Sequence, residues 1–283
     1  MAHLFSAARL RRSACFRRLT GVSLSVFDDM LAQLAGPWNP AQDLKVKPGR
    51  PWESGGLEDH LLVMLIYYNN RCYVTQECLG FFYNVDKSTI CRAIQRIERL
   101  AQPLFKVKRE PKLSRREAEA LIVDCTEQSI QRPRVDAVQR EHYSGKKKQH
   151  TLKTEYLTTA AGRIASVSLS YPGSHHDISI RRAEPRLPEE AHLYADSGYQ
   201  GYGKDHRNFD HPCKKPKGGE LNDEEKEYNR GLSSFRVRVE HRIGDTKRFK
   251  ILSERHRNPR PKHHTKTAIV AGMVNMGRGF PAC

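Results

Sequence analysis

The sequence predicts an α/β chain: a mixed sheet flanked by helices, preceded by a small helical domain with a helix-turn-helix. Three observations carry this. Apolar residues recur at helical spacing up to Leu100, strand-like runs begin at Leu121 with two of them joined by a short link, and helical spacing returns after Ser233.

The helical region reads in order. "LSVFDDMLAQLA" (24–35) places Val26, Phe27, Met30, Leu31 and Leu34 on one helical face. A Pro/Gly-rich link runs from Gly36 to Gly56, and "LEDHLLVMLIYYNN" follows as a second helix. Its apolar run "LLVMLIYY" falls well short of the roughly 20 residues of a membrane helix, so no membrane association is expected. In "TQECLGFFYNVDKSTICRAIQRIERL" (75–100), a short helix ends by Tyr83 and "NVDK" makes a turn. Ser88 then caps a longer helix with Ile90, Ala93, Ile94 and Ile97 inward and Arg92, Arg96 and Arg99 away from the core. This is the layout of a helix-turn-helix, although a plain helical hairpin gives the same pattern. In a DNA reader, Ser88, Thr89, Arg92 and Arg96 would face the major groove.

The texture changes at Leu113, which divides the chain into residues 1–112 and 113–283. "LSRREAEA" reads as a helix and "LIVDCTEQSI" as a strand. "HTLKTEYLTT" and "RIASVSLSY" are strand-like and joined by "AAG", as in a hairpin. "PGSHHD" is a turn in which Asp177 is placed to cap a helix beginning at Ile178. "AHLYADSGYQGY" gives a short strand and a Gly-rich loop, and "KKPKGGELNDEEKEYNRG" an exposed loop.

Composition narrows the function. Lys and Arg number 49 against 32 Asp and Glu, a net charge of +17, which points to a polyanion such as nucleic acid. Lys146, Lys147 and Lys148 suit phosphate contacts or simply a solvated run. Seven cysteines without a CxxC pair argue against a disulfide framework and for a reducing compartment. His206, His211 and Cys213 offer a zinc set. Arg9, Arg11, Arg12, Arg17 and Arg18, with no acid among them, read as a targeting segment or as a basic lead-in to the first helix.

Three acids stand out. Asp124 follows "LIV" inside a predicted buried strand, where an unpaired carboxylate is costly. Asp196 ends "LYA" just before a glycine loop. Each is alternatively a turn residue or an ion-pair partner. Glu240 lies in the basic segment "SSFRVRVEHRIGDTKRFKIL", where Phe235, Val239 and Ile243 form an apolar helical stripe and Arg236, Glu240 and Lys247 a second one. An ordinary surface ion-pair ladder has the same spacing. Three converging carboxylates would suit Mg²⁺, with Mn²⁺ as a substitute, and phosphodiester chemistry. Arg236 and Lys247 would then hold DNA while the acid holds metal.

Several segments together resemble the DDE transposases of bacterial insertion sequences, close to insertion sequence family five and to Harbinger-type relatives. They are "VDCTEQSIQRP", "YSGKKKQHTLK", "YPGSHHD", "YADSGYQGY", "RVEHRIGDTKRFKIL" and "IVAGMVNM", with "FRRLTGVS" resembling a family N-terminus. The resemblance implies a ribonuclease-H-like catalytic domain with Asp124, Asp196 and Glu240 as the metal-binding triad. It implies magnesium-dependent hydrolysis at the ends of an element, then attack of the freed 3′-hydroxyl on target DNA. Its partners would be double-stranded DNA and a second copy of the chain, since two ends must be joined, in the bacterial cytoplasm at the nucleoid. Arg236, Glu240 and Lys247 match a Tyr, Arg, Glu, Lys signature whose tyrosine position is Ser233 here. Asp177 resembles a recurring residue, a helix cap or an accessory ligand to metal or water. Two other readings share these features: a DNA-binding protein without catalysis, domesticated or a repressor, and a metal-dependent nuclease without strand transfer.

Overall fold

The computed structural model describes residues 6–43, 55–69 and 74–282, with 39–43 described by their backbone. The chain forms two compact units: Met1–Lys106 with Lys247–Glu254 and Ala268–Cys283, and Val107–Thr246 with Arg255–Thr267. The chain thus leaves the sheet-bearing unit and returns to the helical one twice.

The helical unit contains α1 (Ala7–Leu10), α2 (Phe16–Thr20), α3 (Leu24–Asp43), α4 (Leu57–Asn69), α5 (Gln76–Tyr83) and α6 (Lys87–Phe105). Every residue of α4 from His60 to Asn69 is buried, so the rest of the unit wraps this one helix. Helix α3 does not stop at Ala35 as the sequence suggests; it continues to Asp43 through Gly36 and Pro37. Its buried stripe explains why: Phe27, Met30, Leu34 and Trp38 are all inside, and Trp38 packs on the His60 ring at 5.0 Å. Tertiary packing outweighs the local cost of Gly and Pro. Residues 44–54 of the expected link, the final Asn70 of the expected second helix, and Cys72 and Cys283 lie outside the described residues.

Between α5 and α6 the turn is tight. Asn84 is left-handed (φ 51°) and its N–H bonds the Phe81 carbonyl, while Asp86, not Ser88, caps α6 by accepting the Ser88 N–H at 2.7 Å. Ile90, Ala93, Ile94 and Ile97 are buried, as their spacing requires.

The second unit opens with α7 (Arg115–Ala118), closed by a capping box between Ser114 and Glu117. Seven described strands follow: β1 (Leu121–Ser129), β2 (Tyr143–Ser144), β3 (Gln149–Thr159), β4 (Ile164–Val167), β5 (Tyr171–Pro172), β6 (Leu193–Tyr194) and β7 (Phe209–Asp210). They form one mixed sheet in the order β2-β3-β1-β6-β7, with β4 and β5 also paired to β3. β1 and β3 run antiparallel from Leu121↔Thr159 to Ser129↔Thr151; β6 joins β1, and β7 joins β6, in parallel. The hairpin between β3 and β4 turns at Gly162 (φ 92°).

Helices α8 (Asp136–His142) and α9 (Asp177–Ala183) lie between strands, and α10 (Asp223–Lys247) follows them. Helix α10 absorbs half of the expected exposed loop. Asn222 and Glu225 form a reciprocal cap (2.7 and 2.9 Å), and Asp223, Glu224 and Glu225 place negative charge at the helix N-terminus. Acids that look like solvated loop in the sequence are therefore a helix start. After a break, α11 (Lys250–Ser253) and α12 (His263–Met276) follow. In the helical unit, a Cβ on Gly272 would lie 1.7 Å from the Phe105 carbonyl oxygen, so glycine is what lets the end of α6 touch α12.

Candidate catalytic carboxylate site

Strand alternation sets the first carboxylate. Leu121 and Val123 enter a core with Leu157, Leu193, Ala195 and Tyr199, and Cys125 packs against it; Asp124 therefore projects from the opposite face of β1. Helix α10 lies over that opposite face, where its Phe235 meets Tyr194 edge to face at 4.8 Å. Val239 and Ile243 are buried and Phe235 half-buried, the stripe its spacing predicts.

The parallel pairing of β6 with β1 brings the second carboxylate alongside. Asp196 follows β6 and caps the turn Ser197–Tyr199, its Oδ1 accepting the Gly198 N–H at 2.8 Å. Burial pushes the Asp124 carboxyl up to about 6, and the negative charges of Asp196 and, to a lesser degree, Asp177 add to the rise; Arg236 and the Cys125 N–H oppose it. Arg236 of α10 thus stands as the counter-charge to Asp124.

Asp177 is the residue whose role differs from expectation. It occupies the first turn of α9 while His176 takes the cap position without a side-chain bond. Its carboxylate turns to Lys153 instead. Lys153 Nζ donates to Asp177 Oδ1 at 3.0 Å and to the His175 carbonyl at 2.8 Å, with Glu127 3.8 Å away. The other oxygen faces Asp196. A Cβ on Gly198 would lie 2.7 Å from Asp177 Oδ2 and 2.9 Å from Asp196 Oδ1, so the absence of a side chain there leaves the two carboxylates facing one shared space.

The three aspartates share a pattern. Asp124 Oδ1 accepts the Cys125 N–H at 2.8 Å, Asp196 Oδ1 the Gly198 N–H, and Asp177 Oδ1 the Lys153 ammonium; each Oδ2 has no hydrogen-bond donor among the described residues. One oxygen is held and the other left open. Hard, open carboxylate oxygens are the donors that Mg²⁺ or Mn²⁺ takes. Among the described residues, no three His, Cys, Asp or Glu side chains already enclose a point close enough to hold one ion. Asp124 and Asp196 are brought together, but Glu240, exposed on α10 one turn beyond Arg236, does not join them in a three-acid group. The zinc set does not form either: His206 Nε2 bonds the Ala191 carbonyl at 2.6 Å, while His211 Nδ1 sits 3.0 Å from the Pro212 carbonyl.

The basic residues divide. On α6, Ser88 and Arg92 are exposed, Thr89 is half-buried, and Arg92 Nη2 reaches both hydroxyls at 3.3 and 3.2 Å. Arg96 is not on that face. It is 8% exposed, its guanidinium 4.2 Å from the Trp38 ring centroid, because α3 extends far enough to bring Trp38 over it. Gln95 and Arg99 are exposed in its place, at the helical spacing the sequence already shows. Lys146, Lys147 and Lys148 are exposed in the turn between β2 and β3, Lys148 with a left-handed backbone (φ 54°). Lys247, the last residue of α10, is half-buried.

Comparison with known proteins gives the family. The family described as DDE superfamily endonuclease matches residues 123–275, and the helix-turn-helix of DDE superfamily endonuclease matches residues 56–105. A probable transposase for insertion sequence element IS702 from Microchaete diplosiphon is 32% identical over 266 residues, 92% of this chain and 93% of that one. No solved structure matches. No helix among the described residues is long and apolar enough to cross a membrane.

Proposed function

The chain belongs to the DDE superfamily endonuclease family of transposases, and on that premise we propose that it cuts DNA at the ends of an insertion element and joins the freed 3′-hydroxyl to target DNA. Asp124 and Asp196 are the central metal-holding pair, Asp177 lends a further oxygen, and Glu240, which stands outside this group in the structure, is the third acid that would have to approach from α10. The observation that carries this reading is the pairing of Asp124 with Asp196, each with one oxygen fixed by a backbone N–H and the other open.

Mg²⁺, when bound, supplies the Lewis acidity that phosphodiester hydrolysis and transfer require, and Mn²⁺ can take its place. The protein's own groups do the rest. Backbone N–H donors fix one oxygen each of Asp124 and Asp196 and leave the other available to a cation. Arg236 offsets the charge of Asp124 in a partly desolvated site, and its guanidinium is suited to a DNA phosphate as well. Ser88, Thr89 and Arg92 present the recognition helix to the major groove; Lys146, Lys147, Lys148 and Lys247 hold phosphates. Joining two element ends calls for at least a dimer on the DNA.

The test is cleavage of a DNA carrying an element end, with Mg²⁺ or with EDTA, by the wild type, Asp196→Asn and Glu240→Gln. Nicking is expected from the wild type with Mg²⁺ alone, with DNA binding retained in both variants. Equal nicking by Asp196→Asn removes the residue from the reaction; equal nicking by Glu240→Gln reduces the metal site to the aspartates.

A further inference from the structure

On the face of the sheet opposite Asp124 lies a buried polar network that the proposed reaction does not use. Glu155 of β3 is 2% exposed, and its Oε1 accepts from Arg181 Nη1 at 2.7 Å. Its Oε2 accepts from the Tyr199 hydroxyl at 3.2 Å, and that hydroxyl lies 3.3 Å from Cys125 Sγ. Arg181 also donates through Nη2 to the Pro185 carbonyl at 2.6 Å.

Arg181 and Tyr199, which bond Glu155, and Cys125, which it reaches through Tyr199, belong to three different elements, and each of those elements carries one aspartate of the site. Cys125 follows Asp124 on β1, Tyr199 ends the turn that Asp196 caps, and Arg181 lies one turn along α9 from Asp177. A buried ion pair is a weak source of stability, since apolar residues of similar volume often serve a fold as well or better. What such a network supplies is directional: hydrogen bonds of fixed length between elements whose apolar contacts alone would allow sliding. Mg²⁺ tolerates little deviation in the placement of its ligands.

We infer that Glu155 is a positioning residue: through Arg181, Tyr199 and Cys125 it fixes the mutual placement of the elements bearing Asp177, Asp196 and Asp124, and so sets the affinity of the site for a divalent cation. This rests on the reading of Asp124 and Asp196 as metal-holding residues. Its function requires no change of protonation and no contact with DNA.

The experiment separates position from stability. The full chain is prepared as wild type, Glu155→Leu/Arg181→Met, Tyr199→Phe and Asp124→Asn, and each is measured for thermal melting and for binding of Mn²⁺ by electron paramagnetic resonance without DNA. The double variant is expected to melt within a few degrees of the wild type while its half-saturating Mn²⁺ rises about tenfold or more, the size expected when a supporting partner of metal ligands is lost. Tyr199→Phe, which removes only a hydroxyl, is expected to raise it about threefold and carries the test alone if the double variant does not fold. Wild-type Mn²⁺ affinity in a folded double variant, or in Tyr199→Phe, overturns the inference. Wild-type affinity in Asp124→Asn overturns instead the metal site on which it rests.

Discussion

The helical unit and the sheet unit bury charge in different ways. Around α4, buried charges meet aromatic groups: Arg96 lies over the Trp38 ring, and Glu98 accepts from the Tyr68 hydroxyl at 2.9 Å. That core also includes Phe27, Met30, Leu34 and the isoleucines of α6, a pattern set by helical period. The sheet unit concentrates ionisable groups around one stretch of β1: Asp124 with Asp196 and Arg236 on one face, Glu155 with Arg181 on the other, and Asp177, held by Lys153, near both. The helical unit spends its burial on stability. The sheet unit accepts carboxylates in poorly solvated positions, a cost to the fold that the proposed cation would relieve.

That contrast can be broken most decisively at Asp196. Asp196→Asn is expected to lower Mg²⁺-dependent nicking by about a thousandfold, the scale of losing a group that acts on the transition state, while melting and DNA affinity stay near wild type. Next in size is Gly272→Ala in the helical unit. The new Cβ would meet the Phe105 carbonyl, and with backbone on both sides the expected cost is about 3 kcal/mol, read as a lowered denaturant midpoint.

Asp124→Asn should act in the opposite direction. The folded-state carboxyl is raised to about 6, so the native chain holds this proton more tightly than the unfolded one. Above pH 6 the charged form penalises the fold; the penalty is relieved as pH falls from about 6 towards the ordinary carboxylate value near 4. At neutral pH the variant should therefore be more stable without metal, by roughly 2 kcal/mol. The same shift predicts that cation binding by the wild type weakens as pH drops below about 6, since the proton must leave first. A metal-free wild type whose stability rises with pH between 4 and 6 at this site, measured against Asp124→Asn, would contradict the assignment.

The smallest expected effect is on the recognition helix. Arg92→Ala should weaken DNA binding by about 1–2 kcal/mol and, if its contact is to phosphate, flatten the salt dependence by about one ion. Arg96→Ala sharpens the comparison: with its guanidinium on Trp38, it should lower stability while leaving the salt slope of DNA binding unchanged.

Much of this was legible without coordinates. The strand after Ala120, the hairpin through Gly162 and the inward isoleucines of α6 follow from local period and turn chemistry. What local pattern missed has particular causes. Gly36 and Pro37 read locally as breakers, and only the burial of Trp38 carries α3 past them. Asp177 looked like a cap because a carboxylate just before a helix usually is one; Lys153, far away in sequence, competes for it. Glu155 carries one local signal, an acid in a strand of mostly threonines and apolar residues, but the residues of its network come from three other elements.

By itself, the amino-acid sequence determined the order of elements, the family, and which acids and bases stand at strand ends and on helix faces, because these depend on spacing along a single chain. Tertiary structure alone decided which carboxylates meet: Asp124 with Asp196 and Asp177, while Glu240 stays exposed on α10. The reason is that strand pairing and helix packing bring together residues distant in sequence, and the desolvation and Coulomb forces that give a carboxylate its chemistry act over a few ångströms of space.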